Sequence, residues 1–187
     1  MTKVYFVRHA LPDFNVHDNL LRPLTQEGTE DSKKVTEFLL NKNIAKVFSS
    51  PYKRAVDTIK DFTDRTGLKI NIVEDFRERK IDSEWIEDFD KFSEKQWGDF
   101  QYKLSDGESL YQVQKRNIAA LQRILKENLG ENIVIGTHGT ALSTIINYYD
   151  KNFDYKEFQR IRYYMPFIVC ITFDGQAAVK IEEFLLK

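Results

Sequence analysis

The sequence holds a single cysteine, Cys170, which excludes an internal disulfide and any multi-cysteine zinc or iron–sulfur site. It has only four prolines and eight glycines, and no stretch of it reads as a linker, a repeat or a low-complexity tract. No run approaches the roughly 20 apolar residues of a membrane span, so no membrane partner is expected. Neither sign of charge dominates: 28 Lys and Arg stand against 29 Asp and Glu, a net charge of −1. Such a chain lacks the basic face that bulk nucleic-acid binding needs, and no nucleic-acid partner is expected. The first ten residues read as a strand ending in charge, so no leader peptide is expected. With one free thiol, this gives the expectation of a cytoplasmic protein.

What is present is globular. Apolar residues make up 42% of the chain and charged residues 30%, a balance that argues against wholesale disorder. The length of 187 residues fits one domain spanning 1–187. A chain of that size buries roughly 70% of its unfolded surface.

Short apolar runs alternate with amphipathic stretches. Val4-Tyr5-Phe6-Val7, Ala45-Lys46-Val47-Phe48, Ile70-Asn71-Ile72-Val73 and the stretch 132–137 read as strands. Thr25 is the expected N-cap of a helix that buries Val35, Phe38 and Leu39. Ser50 is expected to cap the next helix, with Pro51 in its first turn and Ala55, Ile59 and Phe62 on its buried stripe. Ser105-Asp106-Gly107-Glu108 reads as a capping box that opens a helix burying Leu110, Val113, Leu121 and Ile124. A further helix is expected over 140–149, and a hairpin turns at Asp174-Gly175. Residues 80–104, with Trp85, Phe89, Phe92, Trp97 and Phe100, read as short helices forming a lid or specificity excursion whose aromatics make a small satellite core. Alternating strands and helices predict an α/β fold, with a mostly parallel sheet covered on both faces.

In such sheets ligands bind beyond the carboxyl ends of the strands. At those ends stand Arg8-His9-Ala10, Ser49-Ser50-Pro51 with Arg54, Glu74 to Arg79, and Thr137-His138-Gly139. This set suits a phosphate monoester. Arg8 and Arg54 offer guanidinium forks to phosphoryl oxygens, and the helix starts after Pro51 and Gly139 offer N–H donors. His9 or His138 is a competent nucleophile toward phosphorus as a neutral imidazole. A carboxylic acid is needed to protonate the leaving alkoxide; Glu78 is the choice, with Asp75 and Asp82 as alternatives. The cage of Arg and His can supply the charge stabilisation that a metal gives elsewhere, so no metal and no cofactor is expected. His17, with Asp13 and Asp18 nearby, reads as an ordinary loop histidine rather than a metal ligand.

Arg8-His9-Ala10, Ser49-Ser50-Pro51 with Arg54, Glu78, Gly107-Glu108-Ser109-Leu110 and Thr137-His138-Gly139 together resemble the histidine phosphatase superfamily, also called phosphoglycerate mutase-like. The resemblance runs in order from Val4 to about Ala141. It implies a three-layer αβα sandwich and a phosphohistidine intermediate. It further implies His9 as nucleophile, Arg8 and Arg54 as phosphate ligands, His138 as the second histidine of the phosphate pocket and Glu78 as proton donor. Asn15 matches an Asn that follows the first motif in many members, and Leu24-Thr25 with Gly28 matches a common start of the first helix. Ala10 replaces the usual Gly, and its Cβ would be strained at positive φ. Glu78 is not followed by the Tyr and Gly of the mutase branch, and residues 80–115 contain no Arg. These departures favour a phosphatase over a mutase, and with the cage of Arg and His the expectation is a metal-independent phosphatase acting on a small phosphorylated metabolite. The rivals are a mutase-type phosphotransferase, which needs a phosphorylated primer, and a catalytically silent phosphate-binding module.

Overall fold

A computed structural model describes residues 1–83 and 86–186. The strands are β1 (Thr2–Arg8), β2 (Ile44–Ser49), β3 (Ile70–Ile72), β4 (Asn132–Thr137), β5 (Phe167–Asp174) and β6 (Ala177–Phe184). The helices are α1 (Gln26–Leu40), α2 (Lys53–Thr66), α3 (Phe89–Gly98), α4 (Leu110–Glu127), α5 (Gly139–Tyr149) and α6 (Tyr155–Ile161). All six strands form one sheet in the order β3-β2-β4-β1-β5-β6. The first four run parallel; β5 runs antiparallel to β1, and β6, antiparallel to β5, completes the edge in the direction of the first four.

Successive side chains of a strand face opposite ways, and β1 is buried on both faces. Val4 and Phe6 point into one core with α4, α5 and α6. Tyr5 and Val7 point into the other, which holds Val35 and Leu39 of α1 and Ile59 and Phe62 of α2. The expected αβα sandwich therefore has its sheet between two apolar layers. Among the described residues no helix is long and apolar enough to cross a membrane.

Register brings the strand ends level. Arg8 pairs with Thr137 and Ser49 with Gly136, so His9, Ser50 and His138 leave the sheet side by side. Because β5 runs the other way, its first residue Phe167 pairs with Arg8, and the turn before it reaches the same edge.

Thr25 caps α1, accepting from the Gly28 N–H at 2.9 Å. Two expected caps are corrected. The N-cap of α2 is Tyr52, and Ser50 Oγ instead accepts the Tyr52 N–H at 3.2 Å before the helix begins. The capping box of α4 is Ser109 with Gln112, four residues later than Ser105 with Glu108. Gln112 at the third helical position reaches back to the Ser109 N–H at 2.9 Å, which leaves Glu108 outside the cap. Strand β3 ends at Ile72, one residue before Val73. Between 80 and 104 the described residues form one helix, α3; Trp85 lies outside the described residues. Trp97 packs on Phe100 and on Phe153 and Phe158 of the main core, and Phe92 on Tyr102, so the expected separate satellite is joined to the core, while Phe89 also lines the cavity described below.

Candidate active site

Arg8 and His9 emerge from β1 into a cavity of about 650 Å³. Arg8, His9, Arg54 and Glu78 all line it, as do Arg22, Arg79 and Arg162. His138 is fully buried behind His9, their ring centroids 5.3 Å apart and edge to face.

A hydrogen bond to a carbonyl fixes the tautomer of His9. His9 Nδ1 lies 2.8 Å from the Ala10 carbonyl, an acceptor only, so Nδ1 carries the proton. The lone pair is then on Nε2. His138 Nε2 lies 2.7 Å from Ser50 Oγ, so the serine that does not cap α2 orients this ring. Tyr52 packs edge-on against it at 5.1 Å. Burial holds both histidines well below the ordinary imidazole pKa; the positive charge of Arg54 is the next cause for each. Both rings are neutral at neutral pH.

The guanidiniums are held by neutral groups. Arg8 Nη1 donates to the carbonyls of Ile161 at 2.8 Å and Tyr164 at 3.2 Å. Its plane lies against Gly139, where a Cβ would come within 3.1 Å of the guanidinium carbon. Arg54 Nη1 donates to the Asn19 carbonyl at 2.7 Å and stacks on Tyr52. Arg22 donates to the carbonyls of Val16 and His17, and Arg79 to the side chain of Gln96. Among the described residues none of these four makes an ion pair with a carboxylate. Burial pulls Arg8, Arg54 and Arg79 down to about 10, opposed chiefly by the charge of Glu78; all three remain cationic at neutral pH. A buried cluster in which guanidiniums outnumber carboxylates is a receptacle for a ligand that brings negative charge.

Glu78 occupies the start of α5, which the sequence offered to the phosphate. Its Oε2 accepts the Thr140 N–H at 3.0 Å; its Oε1 accepts those of Ala141 at 3.0 Å and Arg79 at 2.8 Å. Of the alternative acids, Asp82 lines the cavity and accepts the Ser83 N–H at 2.9 Å. Asp75 instead pairs with Arg123 at 3.2 Å, outside the cavity wall. Asn15 is not brought to the cavity: its exposed side chain donates to Asp13 at 2.9 Å. Ala10 is fully buried and has no positive φ, and its N–H donates to Thr58 Oγ1 at 2.9 Å, so the Cβ is accommodated without backbone strain.

Sequence reading missed Arg22 and Arg162. Arg22 stands in the loop between β1 and α1, and its signal was an arginine directly before the Pro23-Leu24-Thr25 helix start. Arg162 follows α6, far from any recognised motif; only the antiparallel return of β5 carries it there. It is paired with Asp90 of α3 and stacked on Phe89 at 5.0 Å.

A family model described as the histidine phosphatase superfamily (branch 1) matches residues 4–182. A probable phosphoglycerate mutase GpmB of Yersinia pestis (strain Pestoides F) is 28% identical over 161 residues, covering 79% of this chain and 74% of that protein. Among solved structures, YhfR of Bacillus stearothermophilus superposes with a TM-score of 0.79 at 23% identity, over 95% of this chain and 94% of its own. Phosphoserine phosphatase of Entamoeba histolytica, solved as a mutant with phosphoserine, gives a TM-score of 0.78 at 19% identity, over 97% and 96% of the two chains. A vanadium oxide (VO3) complex of mycobacterial glucosyl-3-phosphoglycerate phosphatase gives 0.77 at 17% identity, over the same shares.

Proposed function

The chain belongs to the histidine phosphatase superfamily, and from that membership we propose that it is a metal-independent phosphomonoesterase working through a phosphohistidine. The observation that carries this reading is the tautomer of His9. Its Nδ1 proton is tied to the Ala10 carbonyl, which leaves the lone pair on Nε2, beside buried guanidiniums that make no ion pair among the described residues.

In the first step His9 Nε2 attacks phosphorus, and the bond from phosphorus to the ester oxygen breaks. Arg8 and Arg54 hold the phosphoryl group, and His138, expected to share that hold, backs the His9 ring from behind the cavity wall. Arg22, whose charge is felt at both His9 and Arg54, adds to that hold. Glu78 gives its proton to the leaving oxygen. Its Oε1 already accepts two N–H groups and its Oε2 one, so Oε2 retains the lone pair that carries this proton. In the second step water attacks phosphorus, Glu78 takes the water proton, and the bond from phosphorus to nitrogen breaks to return neutral His9.

The substrate is read as a small phosphorylated metabolite. The neighbours that act on phosphoserine and on a glucosyl phosphoglycerate support that class. The mutase reading is favoured by the mutase-named relative. It is set back by the absence of Arg between 80 and 115, although Arg162 reaches the cavity by another route.

The test is phosphate release from p-nitrophenyl phosphate, phosphoserine, 3-phosphoglycerate and glycerol phosphate, with EDTA present. Turnover is expected, and His9→Ala is expected to abolish it while leaving the fold intact. Appreciable turnover by His9→Ala removes the reading. Isomerised product that appears only with a phosphorylated primer replaces it with the mutase.

A further inference from the structure

Glu108 is taken up neither by helix capping nor by the phosphoryl pocket, yet it stands at the centre of a saturated network. Its Oε1 accepts from Arg116 Nε at 2.8 Å and from Arg77 Nη2 at 3.1 Å. Its Oε2 accepts from Arg116 Nη2 at 3.0 Å and from the Lys80 N–H at 3.0 Å. Burial works against the charge, but these donors outweigh it and hold the Glu108 carboxyl below its ordinary value.

Arg116 is equally full. A guanidinium has five N–H groups in a fixed fork, and each has an acceptor here. Two go to Glu108. The other three go to carbonyls of one short stretch: Asp75 at 2.6 Å, Arg77 at 2.8 Å and Glu78 at 3.3 Å. Thus one side chain of α4 grips the backbone of residues 75–78, the segment that ends at the proposed acid.

The turn before α4 grips the far side of the same segment. The Glu108 N–H donates to the Lys80 carbonyl at 2.8 Å, the reverse of the bond from Lys80 to the Glu108 side chain. Gly107 lies so close that a Cβ would come within 1.9 Å of the Ile81 carbonyl oxygen. Glu78 is therefore bracketed by backbone fixed on both sides, while its own carboxyl is fixed by the start of α5.

We propose that Arg116, held in place by Glu108, is the positioning residue of the acid: it fixes the 75–78 backbone and so aims the Glu78 carboxyl at the leaving oxygen. This rests on the reading of Glu78 as proton donor. The consequence is specific, because a displaced acid harms only substrates whose leaving group needs a proton. A displacement of about 1 Å is enough to cost on the order of a hundredfold.

The experiment compares kcat/KM for phosphoserine, an alkyl ester, with that for p-nitrophenyl phosphate. The proteins are wild type, Glu78→Gln, Arg116→Lys, Glu108→Gln and the double variant Glu78→Gln/Arg116→Lys. Arg116→Lys keeps the charge and loses the fork. It is expected to lower kcat/KM for phosphoserine by about 10- to 100-fold and for p-nitrophenyl phosphate by less than about threefold. Inhibition by vanadate is expected to stay within about twofold, since Arg8, His9 and Arg54 keep their places. The double variant is expected to be no worse than Glu78→Gln alone, because the two act as one unit. If Arg116→Lys does not fold, Glu108→Gln carries the same comparison with a smaller loss. Equal losses on both esters, or additive losses in the double variant, overturn the inference and leave Arg116 a structural residue. If Glu78→Gln itself shows no preference between the esters, the assignment of the acid has failed and takes this inference with it. If Glu78→Gln discriminates and the Arg116 and Glu108 variants do not, only the positioning role has failed.

Discussion

His138 is fully exposed to solvent when unfolded and fully enclosed when folded, and its ring is neutral inside. His9 is nearly as buried and shifted the same way, burial first and Arg54 second. An unfolded histidine takes its proton near pH 6.5, whereas these two resist it to well below that. Between the two values the unfolded chain binds more protons, so stability rises with pH there. The contribution is complete above about pH 6.5 and is lost as the pH falls toward the folded-state values. Each histidine adds a slope of about 1.4 kcal/mol per pH unit. Urea unfolding of wild type and His138→Asn between about pH 6 and pH 5 is expected to differ in slope by about that amount. Parallel curves would mean that His138 is not held neutral. At this scale the placing of Arg8, His9, Arg54 and Glu78 at one cavity was legible, because Arg8 ends β1, His9 follows it, Arg54 lies in the first turn of α2 and Glu78 follows the short turn after β3, while their roles stay proposals. It was not legible for Asn15, which matched a motif by spacing alone. A loop of irregular backbone does not fix which way a side chain faces.

Where an element begins is harder to read than that it exists, since several polar residues in a row compete for the cap. Ser105 and Ser109 both precede α4, and both have an acceptor-bearing residue three positions on. The structure chooses Ser109 with Gln112, because that register frees Glu108 for Arg116 and lets Gly107 approach Ile81. Ser109 is buried and its hydroxyl accepts the Gln112 N–H at 3.2 Å, whereas Ser105 is exposed in the preceding turn. Ser109→Ala is expected to cost about 1 kcal/mol in urea unfolding. Ser105→Ala is expected to change stability by less than about 0.5 kcal/mol. The reverse ranking would restore the earlier cap. Ser50 illustrates the same competition: spacing before Pro51 suggested a helix cap, but the hydroxyl is engaged by His138, a partner 88 positions away in the chain. Helix and strand periodicities survive such contests, and so α1, α2, α4, α5 and the β5–β6 hairpin were legible from the chain alone.

At the scale of the whole molecule, the site exists because four strand ends and one antiparallel return meet at a single edge. Only the parallel part of that arrangement is implied by alternation of strands and helices. The return of β5 beside β1 is not, and with it arrives Arg162, whose charge is felt at Arg8. The fold thus concentrates Arg8, Arg22, Arg54 and Arg79 in a buried place with carbonyls and Gln96 as their partners. These bonds leave Arg8 Nε and Arg79 Nε buried without a partner, and the single charge of Glu78 offsets only part of the mutual repulsion and lost hydration until an anion enters. Stability and function are therefore set against one another at this edge, as is common where a site is built from strained electrostatics. Arg54→Leu removes one buried charge while keeping an apolar stem over Tyr52. It is expected to raise the melting temperature of the unliganded protein by about 2–4 °C, the response to roughly 1 kcal/mol in a chain of this size. Vanadate at about 100 times its Kd is expected to stabilise wild type by about 2.7 kcal/mol, and Arg54→Leu by little or nothing. A thermal scan of both proteins with and without vanadate separates the alternatives. If Arg54→Leu melts lower and still responds fully to vanadate, Arg54 is a structural residue and the anion is held elsewhere. If it melts higher and is deaf to vanadate, the arginine is present for the ligand and is carried at the expense of the empty fold.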